Sequence, residues 1–415
     1  MDKLVKLGLI GLGQRGRMLL NDVILPLQGE VFDLVAVCDL YADRADDAAH
    51  LAADKAGIAP LRTTGYREVL ALGESGELDA VIVATSWASH VPIAVDAMKA
   101  GVYVGVEVGG AYGVEDCRLL VDTHEATGTH LMFLENCCYG KRELMALTMY
   151  REGDMGEVVH CAGGYMHDLR GEIAYGRENR HYRLRNYLSR NCENYPTHEL
   201  GPIAKLLDIN NGNRMVSLTS TASSALGLHE YAVDRRGAED ELARAAFAQG
   251  DVVTTVIRCE GGQTIALTLD TTLPRFYSRG FTVRGTKASY FGDTDCIFID
   301  KVHAEYEFSG EKLWGNAKEY EDKYLHPLWR DYDPRGGHDG MDWITLHAFA
   351  EAVRKNERPP IDVYDAAALM CITPLSEKSI ALGGEVVEIP DFTGGKWRRR
   401  EDIPESIYAL DRKRR

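Results

Sequence analysis

Residues 5–16 read VKLGLIGLGQRG, an apolar run that leads into a glycine-rich turn. The apolar residues Val5–Ile10 predict a buried strand, and residues 17–23 have the composition of a helix. A GxGxxG pattern between a strand and a helix is typical of a dinucleotide-binding unit, whereas the same glycines elsewhere make ordinary turns. The flanking elements therefore favour dinucleotide binding.

Each glycine of this pattern has a predicted role. Gly11 permits the tight turn, Gly13 lets the backbone approach a pyrophosphate, and Gly16 allows the helix to pack closely on the strand. The start of the helix offers free N–H groups to the phosphates, and Gln14 and Arg15 lie there. We expect these five residues to bind the cofactor.

A carboxylate after the second predicted strand indicates which dinucleotide binds. Residues 34–38 form an apolar strand that ends at Asp39. An acid at this position hydrogen-bonds the ribose hydroxyls and repels a 2′-phosphate, so it favours NAD over NADP. Arg44 lies close enough in sequence to favour a 2′-phosphate instead.

The order of predicted elements indicates two domains. Apolar strands at residues 79–85 and 102–106 alternate with alanine-rich helical segments, as in a parallel sheet covered on both faces. Antiparallel strands with turns between them follow at residues 158–164, 215–219, 252–259, 264–269 and 279–284. Helices return at residues 343–354 and 364–382. We predict an α/β chain with an N-terminal Rossmann domain at residues 1–136 and an α+β substrate domain, built on an open, largely antiparallel sheet, at residues 137–415.

The composition is that of a soluble globular protein. The 415 residues are 45% hydrophobic and 27% charged, which is enough for two apolar cores. A formal net charge of -16 argues against a nucleic-acid or anionic-membrane binder, which would carry a basic face. We expect a cytoplasmic location, because the sequence shows no secretory leader and no apolar stretch of roughly 20 residues. The nine cysteines lack metal-ligand spacing, so we expect most to be buried small hydrophobes.

Two strings downstream of the glycine pattern carry dense polar side chains. Residues 163–170 read GGYMHDLR, and residues 194–202 read NYPTHELGP. Polar groups beside a glycine pair and a proline-fixed turn are costly to bury for packing alone, so they predict a site. On spacing alone, Tyr165 is more simply a strand tyrosine with a hydrogen-bonded tip, and His198 could cap a turn.

The glycine pattern, TSWASHVP at residues 85–92 and the two-domain outline resemble the Gfo/Idh/MocA family of sugar oxidoreductases over essentially the whole chain. The resemblance implies that NAD is the cofactor and that its site includes Trp87, His90, Glu107 and Asn136. His90 could instead N-cap the following helix. Typical dehydrogenases of that family carry Glu-Lys-Pro where this chain has Glu107-Val108-Gly109. Valine is neither an acid nor a base, so a plain dehydrogenase loses its main catalytic group.

Within that superfamily, several motifs look like the NAD-dependent glycoside hydrolases typified by α-N-acetylgalactosaminidases. They are Glu135-Asn136, Tyr139-Gly140, GGYMHDLR at residues 163–170, YPTH at 195–198, Gly201-Pro202, GHDGMD at 337–342 and PDF at 390–392. The mechanism of that family implies that Tyr165 and His198 are catalytic. We expect the sugar to be bound by His167, Asp168, Arg170, Arg183, Arg185, Tyr195 and His338. Alternatively, His167 and Asp168 are structural partners of Arg170. Asp339 and Asp342 around His338 form either a polar loop that hydrogen-bonds a sugar hydroxyl or simply a turn.

The sequence departs from this family near the motif histidine. Glu199 stands where the family usually has glycine, and Cys192-Glu193-Asn194 is an atypical approach to the motif. These differences bear on the substrate, and a sister group of NAD-dependent glycosidases acts on sulfoquinovosides. Six basic residues crowd between the two polar strings: Arg177, Arg180, His181, Arg183, Arg185 and Arg190. They suit an anionic sugar such as a sulfonate, or equally they pair with Glu172, Glu178 and Glu193. We therefore expect the substrate to be an anionic α-glycoside such as a sulfoquinovoside, or an α-N-acetylgalactosaminide.

The resemblance predicts a reaction in which the cofactor ends as it began. Hydride leaves ring carbon three for bound NAD while His198 accepts the hydroxyl proton, and the ketone acidifies the hydrogen on ring carbon two. Tyr165, activated by His167 or a nearby arginine, removes that hydrogen, and the aglycone leaves. Water then adds, and the hydride returns.

Two other functions stay open at this point, a sugar dehydrogenase with an unusual base and a non-catalytic NAD-bound sugar sensor. Val108 counts against the dehydrogenase, and the presence of Tyr165 and His198 counts against the sensor. We expect no catalytic metal, because the nearby histidines lack metal-ligand spacing on a predicted helix. The expected partners are a small glycoside and other copies of the chain, with no nucleic acid and no membrane.

Overall fold

A computed structural model describes residues 3–400 and 404–411, which divide into two compact units. Unit 1 contains residues 3–139, 331–367 and 404–411, and unit 2 contains residues 140–330 and 368–400. The second unit is therefore not the continuous segment 137–415 expected from the sequence, because residues 331–367 pack in unit 1. There the N–H of Phe133 donates to the carbonyl of Ile361, and the ring of Phe349 lies against Gly105.

Unit 1 is built on a parallel sheet. The strands of the described chain are β1 Val5–Ile10, β2 Phe32–Cys38, β3 Leu61–Thr63, β4 Ala80–Val83, β5 Tyr103–Val106, β6 Leu131–Phe133, β7 Val158–Met166, β8 Met215–Ala222, β9 Val252–Cys259, β10 Thr264–Asp270, β11 Thr282–Gly285, β12 Ala288–Phe291, β13 Cys296–Ile299 and β14 Val387–Glu388. The first six lie in the order β3-β2-β1-β4-β5-β6, and every pair is parallel. This doubly wound order confirms the predicted Rossmann domain.

Helices connect these strands. They are α1 Gln14–Leu19, α2 Ala42–Ala56, α3 Tyr66–Glu74, α4 Trp87–Lys99, α5 Val114–Thr127, α6 Lys141–Arg151, α7 Arg170–Ala174, α8 Arg183–Ser189, α9 Thr197–Leu206, α10 Gly227–Arg236, α11 Glu321–Tyr324, α12 Met341–Lys355, α13 Val363–Met370 and α14 Ile372–Ala381. A single helix predicted at residues 364–382 is thus two helices. Pro374 has no N–H to donate to the Met370 carbonyl, so the helix breaks there.

Unit 2 is built on a second sheet with the order β13-β12-β11-β7-β10-β9-β8-β14. Its pairs are antiparallel except that β7 and β10 run parallel, so the prediction of a largely antiparallel sheet is confirmed. The parallel pair is possible because four helices and two strands separate β7 from β10 in the chain, where a hairpin would force them antiparallel.

All nine cysteines are buried and free, as predicted for small hydrophobic side chains. Among residues 3–400 and 404–411, no helix has the length and apolar character needed to cross a membrane.

Candidate active site

The glycine turn after β1 has the geometry that a dinucleotide needs. Gly11 has a φ of +97°, and a Cβ there would lie 2.5 Å from the carbonyl carbon of Ala84. A Cβ at Gly16 would lie 1.8 Å from the oxygen of Gly11, so α1 packs directly on the turn. A Cβ at Gly13 would meet only Arg44, at 3.4 Å. The turn therefore leaves open backbone at Gly13, where a pyrophosphate fits.

Asp39 supports this turn. One carboxylate oxygen accepts the N–H of Leu12 at 2.7 Å, and the other accepts the N–H of Tyr41 at 2.9 Å. The side chain is buried at the end of β2, the position from which an acid contacts the ribose. Asp39 thus holds the shape of the glycine turn, a role that its position in the sequence did not predict.

Arg15 is held in unit 1 by carboxylates that are distant in sequence. Its two terminal nitrogens lie 2.7 and 2.8 Å from the two oxygens of Asp342, and Nη2 lies 2.9 Å from Glu107. Asp342 also accepts the side-chain N–H of Asn136 at 2.7 Å and lies 2.9 Å from Nδ1 of His338. The predicted cofactor residues Arg15, Glu107 and Asn136 therefore form one network, with Asp342 at its centre. His338, expected to bind sugar, also contacts this network through Asp342 and Arg15.

The side chain of Asp342 is 1% exposed, and the pKa of its carboxyl is shifted. Burial alone would raise the pKa of this carboxyl, but the charge and hydrogen bonds of Arg15 and His338 outweigh burial and hold the pKa well below its usual range. The sequence left Asp342 open between a sugar-binding loop and a turn, because a contact between residues 15 and 342 has no local signal.

Replacing Asp342 with asparagine should lower the free energy of unfolding by about 3 kcal/mol, the lower end of the range for breaking a buried ion pair. The lower end applies because the Arg15 side chain is 24% exposed. A carboxyl with a depressed pKa stabilises the fold above its unfolded pKa, and the stabilisation is lost as the pH falls through the folded value. The difference between variant and wild type should therefore shrink in acid.

Guanidinium denaturation of both proteins from pH 7 downward measures this effect. Asp339→Asn is the matched control, because Asp339 is exposed three residues away and its φ of +53° suits asparagine. An unfolding difference for Asp342→Asn that stays constant into acid would contradict an electrostatic origin.

Trp87 and His90 lie in the first turn of α4. The indole of Trp87 lies against Gly109, where a Cβ would come within 2.2 Å of the ring. This contact explains the glycine that ends Glu107-Val108-Gly109. Nε2 of His90 bonds the carbonyl of Thr85 at 3.0 Å, and burial lowers the pKa of His90 to about 4. His90 is therefore a neutral histidine inside α4 and does not cap that helix.

Three rings of unit 2 meet where the two polar strings come together. Tyr165 lies on β7, His198 lies in the first turn of α9, and Tyr195 lies two residues before that helix. The ring centroids are 4.3 Å apart for Tyr165 and Tyr195, 5.6 Å for Tyr165 and His198, and 4.9 Å for Tyr195 and His198. The Tyr195 hydroxyl lies 3.4 Å from Nε2 of His198. The structure thus brings both candidate catalytic residues into one cluster.

His167 contacts the hydroxyl of this cluster. The Tyr165 hydroxyl lies 3.2 Å from Nδ1 of His167. Burial, and then the charge of Arg183, lower the pKa of His167, so the ring is neutral at pH 7 and can accept a hydrogen bond. Tyr277 packs edge-on against His167 with ring centroids 5.2 Å apart. The sequence did not single out Tyr277, because the bridge between Ser278 and Met166 that places it is not local.

Arg183 is buried against the same rings. Its Cζ lies 5.1 Å from the centre of the Tyr195 ring and 5.9 Å from that of Tyr165, and its Nε lies 2.8 Å from Glu172. A guanidinium over an aromatic face is a cation–π contact, which favours negative charge on a phenol. Arg185 is exposed on α8 and does not share a helix face with Arg183, because residues two apart face away from each other.

The other predicted ligands pair with one another or with distant acids of unit 2. Asp168 and Arg170 form a two-point ion pair, as the structural alternative supposed. Arg177 pairs with Glu241 and Arg190 pairs with Glu377, whereas Glu178 pairs with Arg236. Of the arginines in residues 177–190, Arg183 is the one in contact with the tyrosine rings.

Glu193 explains the atypical approach to the second string. It is fully buried, and burial raises the pKa of its carboxyl to about 8 while the N–H of Tyr195 opposes the shift. The group is therefore a neutral acid at pH 7. Its N–H donates to the Ser376 hydroxyl, and among the described residues its carboxyl pairs with none of the arginines that were candidates for it.

Comparisons with known proteins match two successive segments of the chain. Residues 5–134 match the family described as "Oxidoreductase family, NAD-binding Rossmann fold", and residues 139–399 match "Glycosyl hydrolase 109, C-terminal domain". An inositol dehydrogenase homolog from Azotobacter vinelandii, solved with NADH and myo-inositol, has a TM-score of 0.67 at 17% identity over 93% of this chain and 98% of its own. The likeness shows the fold, and the match over residues 5–134 defines an NAD-binding Rossmann domain that contains the glycine turn.

The family follows from the relatives. The chain is 40% identical to an α-N-acetylgalactosaminidase from Tannerella forsythia, with 96% of this chain and 88% of that protein covered. A glycosyl hydrolase family 109 protein from Stenotrophomonas maltophilia is 39% identical, with 99% of this chain and 92% of that protein covered. The chain belongs to glycosyl hydrolase family 109.

Proposed function

We propose that this NAD-dependent glycosidase cleaves α-N-acetylgalactosaminides by transient oxidation of the sugar, elimination, addition of water and re-reduction. One observation carries the proposal: two groups that can take up protons, Tyr165 and His198, have ring centroids 5.6 Å apart in unit 2. At that spacing, the two can serve adjacent carbons of one sugar ring in turn.

Each residue then has one proton to move. His198 accepts the proton of the hydroxyl on ring carbon three as that carbon is oxidised. NAD, when bound, supplies the reversible hydride acceptor for that carbon. Tyr165 removes the acidified hydrogen on ring carbon two as a proton, the glycosidic bond breaks, and the aglycone oxygen takes a proton from solvent and leaves as an alcohol. After water adds to the anomeric carbon, Tyr165 returns a proton to carbon two and His198 returns one to the oxygen on carbon three.

The neighbours of Tyr165 favour its anionic form. The Arg183 guanidinium lies over the phenol face and favours the phenolate, and the neutral ring of His167 lies within hydrogen-bond reach of the hydroxyl, where it can take up the phenol proton. Because Arg183 is itself buried, its charge is poorly screened by water. These two residues therefore support the base, and no lysine at position 108 is needed for this route.

The arginines of residues 177–190 weigh on the choice of sugar. Arg177 and Arg190 are engaged with acids of unit 2, and Arg185 is exposed. Arg183, which contacts the tyrosine rings, is the candidate for a sulfonate in this cluster, but its Nε already pairs with Glu172. Together with the named activity of the Tannerella forsythia relative, this pairing favours a neutral N-acetyl sugar over a sulfoquinovoside.

The test compares an aryl α-N-acetylgalactosaminide with an aryl α-sulfoquinovoside at a catalytic amount of NAD. We expect many turnovers of the first substrate with no net NADH. A dehydrogenase would accumulate NADH, and a sensor would neither turn over substrate nor accumulate NADH. Arg183→Ala should lower the rate of cleavage of the preferred substrate by about 10- to 100-fold, the effect of losing one charge-assisted contact. The control Arg185→Ala should lower that rate little. Faster cleavage of the sulfoquinovoside, with a loss confined to it in Arg183→Ala, would reverse the substrate assignment.

A further inference from the structure

Glu199 lies at the contact between α9 and β7, inside unit 2. Its side chain is 0% exposed, and its Oε1 lies 3.2 Å from Nε of Arg279. Nη2 of Arg279 lies 2.6 Å from Glu143, so two carboxylates share one guanidinium. The carboxylate of Glu199, which stands where the family usually has glycine, therefore forms an ion pair with Arg279 inside unit 2.

This ion pair joins α9 to the strand that carries Tyr165. A Cβ at Gly163 would lie 2.6 Å from Cβ of Glu199 and 2.8 Å from its Cγ, so the Glu199 side chain rests on the strand backbone. The carbonyl of Arg279 accepts the N–H of Gly164 at 2.9 Å, so the partner of Glu199 is attached to the same strand. Residues 163 and 165 are two apart and point to the same face of the sheet. Glu199 thus docks α9 on the face to which Tyr165 points.

We propose that Glu199 is a positioning residue that fixes His198 relative to Tyr165 through its ion pair with Arg279. The inference rests on the proposed function, in which those two side chains serve adjacent carbons of one sugar. His198 immediately precedes Glu199 in the first turn of α9. Any slip of that turn along β7 therefore moves the imidazole relative to the phenol. A misplacement of about 1 Å in a catalytic group can cost on the order of 10²-fold in rate.

Glu199→Gln tests the proposal, because glutamine keeps the volume over Gly163 and removes the charge that pairs with Arg279. We expect kcat to fall about 10- to 100-fold, with KM and NAD affinity within about 2-fold of wild type. The matched control is Glu143→Gln, which removes the other carboxylate from the same guanidinium but lies on α6. Its kcat should stay within about 3-fold of wild type.

A double-variant cycle separates positioning from general stability. Arg279→Gln should lower kcat as Glu199→Gln does, and the combined variant should be no worse than the poorer single one, because the pair acts as a unit. If Glu199→Gln fails to fold, Glu199→Asp supplies the measurement, since it keeps the charge but withdraws the carboxylate by one methylene and should show the same loss confined to kcat.

Two results overturn the inference: equal loss of kcat in Glu199→Gln and Glu143→Gln, or an unchanged kcat in Glu199→Gln. The same samples are run in heavy water to keep the two hypotheses apart. Wild-type product without deuterium at ring carbon two defeats the proposed function. Wild-type product with that deuterium, together with an unimpaired Glu199→Gln enzyme, defeats only the positioning role.

Discussion

Tyr165→Phe should lower the hydrolysis of an aryl α-N-acetylgalactosaminide by about 10²- to 10⁴-fold, the range expected for loss of a positioned base. Phenylalanine keeps the ring that packs against Tyr195 at 4.3 Å and removes only the hydroxyl that approaches His167. The variant should therefore fold and retain NAD. Oxidation at ring carbon three should still occur, so a single turnover should show NADH forming and then persisting.

Heavy water identifies the step that Tyr165 performs. Since the hydrogen on ring carbon two is removed and later replaced from solvent, wild-type product should carry deuterium there, whereas a direct displacement leaves that hydrogen untouched. Tyr290→Phe is the control, because Tyr290 is also a buried tyrosine of unit 2 with a bonded hydroxyl, 3.0 Å from Asp295. Wild-type product without deuterium at that carbon would rule out the redox-elimination route, whatever activity the variants retain.

His198→Ala should cost a similar factor of about 10²- to 10⁴-fold, but at the earlier step. Without a group to accept the proton of the hydroxyl on ring carbon three, no ketone forms. Transient NADH at 340 nm and deuterium exchange at carbon two should therefore both disappear. Tyr165→Phe, by contrast, should lose only the exchange.

The critical comparison is which step each variant stops: His198→Ala should stop NADH formation, whereas Tyr165→Phe should stop only the exchange at carbon two. His160→Ala serves as the control, because His160 lies on the same strand as Tyr165 and bonds Thr264 at 2.9 Å, and an odd separation puts it on the opposite face. Normal NADH formation in His198→Ala would show that another group accepts the hydroxyl proton.

Local patterns in the chain predicted the elements and their class. The strand, glycine turn and helix of residues 5–16 specify their own geometry, because the tight turn and the close packing depend on residues a few positions apart. Alternating strands and helices likewise predicted the parallel sheet of unit 1. The GGYMHDLR and NYPTHELGP strings pointed to Tyr165 and His198, and the structure places both in one cluster.

Some predictions failed where the answer lay in contacts between distant residues. The break between α13 and α14 could be read from Pro374 in the sequence. The packing of residues 331–367 in unit 1 could not. The contact of His338, a predicted sugar ligand, with Asp342 beside Arg15 could not be read from the sequence either. Nothing near Asp342 in the sequence signals a partner more than 300 residues away.

The sequence by itself determined the Rossmann unit and the NAD-binding turn, and it singled out Tyr165 and His198 as the candidate catalytic pair. Only the tertiary structure decided which charges neutralise one another: Arg15 with Asp342, Arg183 with Glu172, and Arg279 with both Glu143 and Glu199. The physical reason is that turn and strand preferences come from neighbouring residues, whereas the energy of a buried charge depends on its distance to partners that the fold brings together.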